Sequence, residues 1–102
     1  MYNVRMESLE FEWDKRKDKA NVRKHGVSFE EAKTAFFDEN AIQFFDPDNS
    51  EDEDWFLLLG LSYKLNTLVI CHCFREKDSI VRIVSARKAD KEEEKAYWSY
   101  RK

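Results

Sequence analysis

Two apolar runs near the C-terminus carry basic residues that are suited to act on a phosphate. Residues 67–74 (TLVICHCF) and 80–86 (IVRIVSA) predict two strands joined by a polar hairpin loop. Four cations lie on these strands or at their ends: Arg75, Arg82, Arg87 and Lys88. An arginine inside an apolar strand indicates that the face to which it points is at least partly exposed to solvent. Guanidinium groups bind phosphate oxygens and stabilise charge on a phosphorus centre, so such a face suits a phosphodiester.

Side-chain alternation along the two strands predicts which of these residues share a face. In the second strand it groups Arg82 with Ala86 and sets Arg87 on the opposite face. In the first strand it sets Arg75 and His72 on opposite faces. The wet face therefore holds Arg82 with either Arg75 or His72, and the histidine would add a titratable base. The alternative for each arginine is a surface ion pair, and for His72 a satisfied position in the core.

Other chemistries are excluded by what the sequence lacks. A glycine-rich phosphate loop is absent, since Gly26 and Gly60 are the two glycines, and there is no nucleophile elbow or zinc-protease helix. No metal cage can be assembled from two histidines and scattered acids, and Cys71 and Cys73 do not have the spacing of a redox or zinc pair. We expect structural thiols, no metal and no cofactor, and either catalysis by side chains alone or a binding function.

Length and composition predict a single domain over residues 1–102. The sequence is 42% hydrophobic and 15% aromatic, which is too apolar for a disordered chain. No uninterrupted apolar run approaches the roughly 20 residues that span a bilayer, and the first residues contain no signal-peptide core. The expectation is a cytoplasmic protein that makes no contact with a membrane.

The net charge is −3, but the charged residues are distributed unevenly along the chain. Residues 46–54 (DPDNSEDED) carry six acids and no base, whereas residues 55–102 carry ten bases and six acids. This asymmetry fits a face that binds a polyanion, and it equally fits a solvated surface. The acidic segment is expected to be a solvated loop, with mimicry of RNA or contact with a basic partner as the alternatives.

The N-terminal part of the sequence predicts a strand and two helices that would position these residues. Alternating apolar residues over 9–13 indicate a half-buried strand. Asp14 can cap a helix that ends at Gly26. Residues 28–31 (SFEE) form a capping box that begins a second helix, which continues to about Phe37.

The remainder predicts four strands and a closing helix. Besides the two strands above, residues 41–45 and 55–59 are expected to be extended, the latter ending at Gly60. Asp90 can cap the last helix, whose aromatic residues are expected to pack on the sheet, with base stacking as the alternative: Tyr97, Trp98 and Tyr100. The order β-α-α-β-β-β-β-α predicts an α+β fold, an antiparallel sheet with helices packed against it.

Three blocks of residues occur in a distinctive order between residues 9 and 100. They are FEWD (11–14) with Asn21 and KHGVSFEEA (24–32), then DPD (46–48) with Ser50 and GLS (60–62), and finally His72 with Arg75 and VRIVSARKA (81–89). Together the three blocks resemble the BrnT family of bacterial toxins.

The resemblance implies a RelE-like fold, in agreement with the α+β order. It implies a toxin of a type II toxin-antitoxin system that cleaves RNA without a metal, inhibits translation and is encoded beside a BrnA-type antitoxin. That antitoxin has a ribbon-helix-helix part, so operator DNA would be contacted only through it. The alternative is a catalytically degenerate RelE-like module that serves as partner or co-repressor of the antitoxin.

Metal-free RNA cleavage needs a base for the ribose 2′-hydroxyl, cations for the transition state and an acid for the leaving oxygen. The resemblance and this chemistry predict two sets of site residues. The catalytic set is Arg75, Arg82, His72, Lys24 and His25, and the RNA-binding set is Arg87 and Lys88. For His25 the alternative is a favourable interaction with the dipole at the helix C-terminus.

Overall fold

The computed structural model describes residues 9–49 and 53–100. Its elements are β1 (Glu10–Glu12), α1 (Lys15–His25), α2 (Phe29–Ala35), β2 (Ile42–Phe45), a 3₁₀ turn (Pro47–Asn49), β3 (Phe56–Leu61), β4 (Thr67–Arg75), β5 (Ile80–Lys88) and α3 (Lys91–Tyr100). The strands form one sheet in the order β1-β5-β4-β3-β2. The predicted α+β fold and element order are confirmed. β1 nevertheless runs parallel to β5, because no hairpin joins these two strands to impose an antiparallel pairing.

The first two helices begin where their capping residues predict, and α1 also ends as predicted at Gly26. The second helix, α2, ends at Ala35, two residues before the predicted Phe37. Asp14 accepts a hydrogen bond from the backbone N–H of Arg16 at 2.7 Å, and Gly26 ends α1 with a positive φ of 71°. Ser28 Oγ accepts from the N–H of Glu31 at 3.0 Å. The capping box is only half formed, since the Glu31 carboxylate is bonded elsewhere and does not return to the cap.

The sheet has two unlike faces. The helix-covered face packs on α1 and α2 and forms the main apolar cluster of buried residues: Val27, Phe29, Ala32, Ala35, Phe36, Leu58, Leu68, Ile70, Val81, Ile83 and Ala86. On the other side α3 covers one end of the sheet, where Leu59, Val69 and Tyr97 form a smaller cluster. The rest of that side is the open face, which includes Leu57, Cys71, Cys73, Arg82 and Ser85.

A bulge in β5 changes the predicted assignment of side chains to faces. Cys71 is paired with Ser85, but His72 is paired with Ile83, so Val84 is an extra residue. A bulge shifts the alternation of every residue beyond it. Ala86 therefore lies on the helix-covered face and Arg87 joins Arg82 on the open face. The predicted grouping of Arg82 with Ala86 is wrong for this reason.

The predicted end of β3 also needs correction. Gly60 does not end β3, which continues to Leu61. A Cβ atom at this position would lie 3.0 Å from the carbonyl oxygen of Ala35, so glycine permits the close approach of α2 to the sheet.

In α3 the prediction that the aromatic residues pack on the sheet holds for one of them. Tyr97 is fully buried, whereas Trp98 and Tyr100 are 47% and 66% exposed. A helix that lies on a sheet buries only one stripe of its surface, which accounts for the difference. None of the helices in the described residues is both long enough and apolar enough to cross a membrane.

Candidate nucleic-acid interface

Arg75 and Arg82 lie close together on the open face. Arg82 in β5 is directly paired with Cys73 in β4, and Arg75 follows two residues later on the same side of β4. The two arginines are therefore diagonal neighbours, with backbones about 7–8 Å apart. Both of their side chains are partly exposed, at 43% for Arg75 and 33% for Arg82. Two long cationic side chains at this spacing can reach a single phosphodiester.

Arg82 forms an ion pair with a glutamate of the neighbouring strand. Glu12 in β1 is the direct partner of Arg82 in the register, and Arg82 Nη1 donates to Glu12 Oε2 at 2.8 Å. The Glu12 side chain is 40% exposed. This pair places a carboxylate beside a guanidinium at the solvent boundary of the sheet.

Arg75 is paired with the acidic segment. Its Nη1 donates to Glu53 Oε1 at 2.7 Å. Cys73 is the direct partner of Arg82 and lies two residues before Arg75, and its side chain is buried. Burial, followed by the nearby Glu53 carboxylate, raises the pKa of the Cys73 thiol, so this cysteine stays protonated. Glu53 is a residue of the predicted solvated loop, and its contact with Arg75 shows that this end of the loop is docked on the sheet.

Arg87 is held more firmly than the other two arginines. Its Nη1 and Nη2 each donate to Glu93 at 2.8 Å, and Glu93 Oε1 also accepts from the N–H of Asp90 at 2.9 Å. The hydrogen bond with Glu93 raises the pKa of Arg87, and the same bond lowers that of Glu93. Lys88 lies exposed at the end of β5. The two predicted RNA-binding residues therefore lie at the α3 end of the strand.

His72 is fully buried on the helix-covered face, opposite the arginines. Its ring packs among Phe36, Phe56 and Phe74, with centroid distances of 4.8–6.1 Å. Nδ1 lies 3.0 Å from the carbonyl oxygen of Ile70 and Nε2 lies 2.9 Å from Oε1 of Gln43. Burial lowers the pKa of His72 to about 4, so the ring is neutral near pH 7. This environment matches the alternative of a satisfied core histidine.

Lys24 and His25 lie in the last turn of α1. One turn earlier, the Asn21 side chain is bonded to the backbone of Ala86 in β5, whereas the start of the helix follows Glu12 beside Arg82. The helix thus runs alongside β5, and its last turn lies toward the Lys88 end of that strand. Within the described residues, no hydrogen bond or ion pair joins Lys24 or His25 to the arginines.

Several residues of the three sequence blocks hold the fold together. The Asn21 amide donates to the carbonyls of Val27 and Ala86 at 2.8 and 2.7 Å, and its oxygen accepts from the Ala86 N–H at 3.1 Å. The buried Glu31 carboxylate accepts from Ser62 Oγ at 2.6 Å and Asn66 Nδ2 at 2.8 Å. These contacts tie α1 to β5 and α2 to the turn after β3.

The carboxylates beside the arginines were not singled out from the sequence. The sequence does indicate that Glu12 points to the solvent side of its strand, since it alternates with the apolar Phe11 and Trp13. The register that sets it against Arg82 depends on the parallel pairing of β1 and β5. The contact of Glu53 with Arg75 joins residues 22 positions apart, and local sequence does not predict it.

A cavity of about 560 Å³ lies beside the acidic segment, toward the helix-covered face. It is lined by Gln43, Glu53, Asp54, Phe56, Phe74 and Asp78. Three carboxylates in one cavity repel a polyanion. In the part of the chain that the structure describes, no group of three or more His, Cys, Asp or Glu side chains is arranged to hold a metal ion.

The fold is that of a known class of bacterial ribonuclease toxins. The crystal structure of the Brucella abortus ribonuclease toxin BrnT superposes with a TM-score of 0.62 at 19% sequence identity, covering 81% of this chain and 99% of that chain. The family model for the ribonuclease toxin BrnT of type II toxin-antitoxin systems matches residues 13–93. The chain therefore belongs to the BrnT family, as the three sequence blocks predict. No curated protein matches the sequence significantly.

Proposed function

We propose that this protein is the toxin of a type II toxin-antitoxin system and cleaves RNA without a metal ion, thereby inhibiting translation. Membership of the BrnT family supports the toxin and ribonuclease assignments. The observation that carries the mechanism is the position of Arg75 and Arg82, diagonal neighbours on one partly exposed face. Two guanidinium groups so placed can bind the phosphate and stabilise charge in the transition state without a metal.

The reaction is an internal transesterification. The ribose 2′-oxygen loses its proton and bonds to phosphorus, the bond to the 5′-oxygen breaks, and that oxygen takes up a proton. The products are a 2′,3′-cyclic phosphate and a 5′-hydroxyl. Lys24 and His25 are candidates for proton transfer and Arg87 and Lys88 for binding the RNA strand. A role for His72 would require the aromatic packing around it to open.

A BrnA-type antitoxin with a ribbon-helix-helix part is the proposed partner. The family name implies an antitoxin, and operator DNA would be reached only through it. The proposed location is the cytoplasm, where RNA is translated. The two free cysteines, Cys71 and Cys73, are compatible with a reducing compartment.

Cleavage of a long single-stranded RNA in EDTA tests this proposal. The parent protein and the Arg75→Ala variant are purified identically and assayed on free RNA in EDTA. A separate assay with ribosomes is run in magnesium buffer, because EDTA dissociates ribosomes. Cleavage by the parent, with 2′,3′-cyclic phosphate ends and at least a tenfold loss in the variant, is the expected result. Equal cleavage by both proteins contradicts the assigned site, and dependence on added divalent metal contradicts the metal-free mechanism.

One observation favours the second candidate, a module that binds an antitoxin without cutting RNA. All three arginines that we place on the open face, Arg75, Arg82 and Arg87, are neutralised by a glutamate. A protein with this function would bind its antitoxin and change its affinity for operator DNA, yet leave RNA intact in both assays above.

A further inference from the structure

The three carboxylates that pair with the arginines differ in what else they are bonded to. Glu93 is fully engaged by Arg87 and by the N–H of Asp90 at the start of α3. Its pKa is lowered chiefly by the Arg87 bond, which makes it a poor acceptor for a further proton. This carboxylate is part of the structure that holds α3 and is not suited to take a proton from a substrate.

Glu53 is partly exposed, but its surroundings are acidic. It lines the cavity that also holds Asp54 and Asp78. Phosphates of an approaching RNA strand are repelled by such a group of carboxylates. Glu53 is therefore less suited than an isolated carboxylate to approach the ribose, because Asp54 and Asp78 line the same cavity.

Glu12 differs from both. Its Oε2 accepts from Arg82, and within the described residues its other oxygen makes no hydrogen bond. The side chain is 40% exposed. The first turn of α1 follows it along the chain, with three cations, Lys15, Arg16 and Lys17, and two acids, the cap Asp14 and Asp18. A partly exposed carboxylate oxygen with no other hydrogen bond among the described residues is thus held next to Arg82, the proposed phosphate-binding arginine.

We propose that Glu12 is the general base of the reaction, an assignment that rests on the proposed ribonuclease function. The Glu12 carboxylate takes the proton from the ribose 2′-hydroxyl while Arg82 binds an oxygen of the adjacent phosphate. The new bond joins the 2′-oxygen to phosphorus, and the bond from phosphorus to the 5′-oxygen breaks. A separate acid, or water, protonates the 5′-oxygen. The 2′-hydroxyl and the scissile phosphate are joined to neighbouring carbons of one ribose, so adjacent base and cation match the substrate.

The test compares Glu12→Gln with Glu10→Gln, because the two glutamates lie on the same face of β1 and the substitutions change the charge equally. Both are assayed in single turnover in EDTA on an oligoribonucleotide that spans one mapped cut. Glu12→Gln is expected to cleave about 100-fold or more slowly, and Glu10→Gln within twofold of the parent. Glutamine retains an acceptor for Arg82, so the melting temperature is expected to be unchanged. Glu12→Asp keeps the carboxylate and is expected to recover part of the rate.

Two further measurements separate a base from other roles. On the same oligonucleotide with sulfur in place of the scissile 5′-oxygen, the leaving group needs no proton, so the defect of Glu12→Gln is expected to persist. If that defect disappears, Glu12 is the acid and our assignment is wrong. Affinity for the uncleavable 2′-O-methyl version is expected to be equal or slightly tighter. A tenfold weaker affinity means that Glu12 acts only by positioning Arg82, which also overturns the proposal.

The two proposals can fail separately. If the parent does not cleave RNA with or without ribosomes, the ribonuclease function fails, and the role of Glu12 fails with it. If the parent cleaves and Glu12→Gln cleaves equally fast, the ribonuclease function stands and Glu12 is not its base.

Discussion

Polar side chains differ in burial and in their bonding partners between the two faces of the sheet. On the helix-covered face, polar groups such as Asn21 and His72 are buried and bonded within the protein. Among the described residues, no buried side-chain nitrogen or oxygen lacks a hydrogen-bond partner. On the open face, Arg75 and Arg82 are paired with carboxylates that are themselves partly exposed. Polar side chains thus form a fixed network on one side and exchangeable contacts on the other.

This difference follows from the cost of losing a partner. A buried polar group that loses its partner is left without water as well, which costs about 1–3 kcal/mol. An exposed ion pair contributes only about 0–1 kcal/mol, because water and salt replace each partner. A phosphate can therefore displace the glutamate from an arginine of the open face without unfolding anything. Substitutions on the two faces are expected to separate activity from stability.

The largest expected effect is on the open face. Arg82→Ala is expected to slow RNA cleavage about 100-fold, because one electrostatic donor to the transition state is lost. The melting temperature is expected to change little, since the ion pair with Glu12 is exposed. Single-turnover rates and thermal melts measure both. Arg23→Ala, an exposed substitution on α1, is the control. A large fall in melting temperature for Arg82→Ala would show instead that this arginine stabilises the fold.

On the helix-covered face the expected effect is on stability. Asn21→Ala removes three hydrogen bonds to the backbone and is expected to lower the free energy of unfolding by about 2–4 kcal/mol. Urea unfolding measures it, with the exposed Val22→Ala as the control. The folded fraction is expected to cleave RNA at nearly the parent rate. A variant that is stable but inactive would show that Asn21 belongs to the site.

The buried histidine predicts a dependence of stability on pH. The pKa of His72 is lowered to about 4 in the folded protein, from an unfolded value near 6.5. Between these values the unfolded chain binds the proton and the folded protein does not. The contribution of His72 is therefore fully present above pH 6.5 and is lost as the pH falls toward 4, with an upper limit of about 3–4 kcal/mol.

The His72→Gln variant isolates this contribution from that of the carboxylates. Urea unfolding of parent and variant is compared at pH 6.5 and pH 4.5. The parent is expected to lose more stability between the two values than the variant does. Equal losses would mean that His72 can be protonated in the folded protein, which would restore it as a candidate for proton transfer.

The smallest effect is expected at Arg87. This arginine already donates two hydrogen bonds to Glu93, so less of its charge is available to RNA. Arg87→Ala is expected to slow cleavage only about threefold and to lower stability by less than about 1 kcal/mol, a difference that 1 M NaCl removes. A loss of cleavage as large as that of Arg82→Ala would extend the site along β5 to the α3 end.

Much of the fold could be predicted from local sequence. The caps Asp14 and Ser28 and the stop at Gly26 set the first two helices through contacts within a few residues. Strands β4 and β5 were predicted because β-branched and aromatic residues dominate them and a polar hairpin loop joins them. The family was predicted from three sequence blocks, and the family match confirms it.

The candidate site could be predicted only in part. Arg75 and Arg82 were singled out because cations interrupt apolar strands. The position of Arg87 was predicted wrongly, because a single extra residue at Val84 moves it to the other face. Glu12 was missed as a partner of Arg82 because their pairing joins residues 70 positions apart.

The elements, their order and the residues able to bind a phosphate can be predicted from the sequence, since these depend on short-range patterns of side chains. Which of those residues contact one another depends on tertiary packing. The parallel addition of β1 beside β5 brings Glu12 to Arg82, and the packing of α2 encloses His72. Both depend on the burial of apolar surface by segments distant in sequence. Local patterns show which segments carry apolar surface. Which segment covers that surface depends on how the whole chain packs.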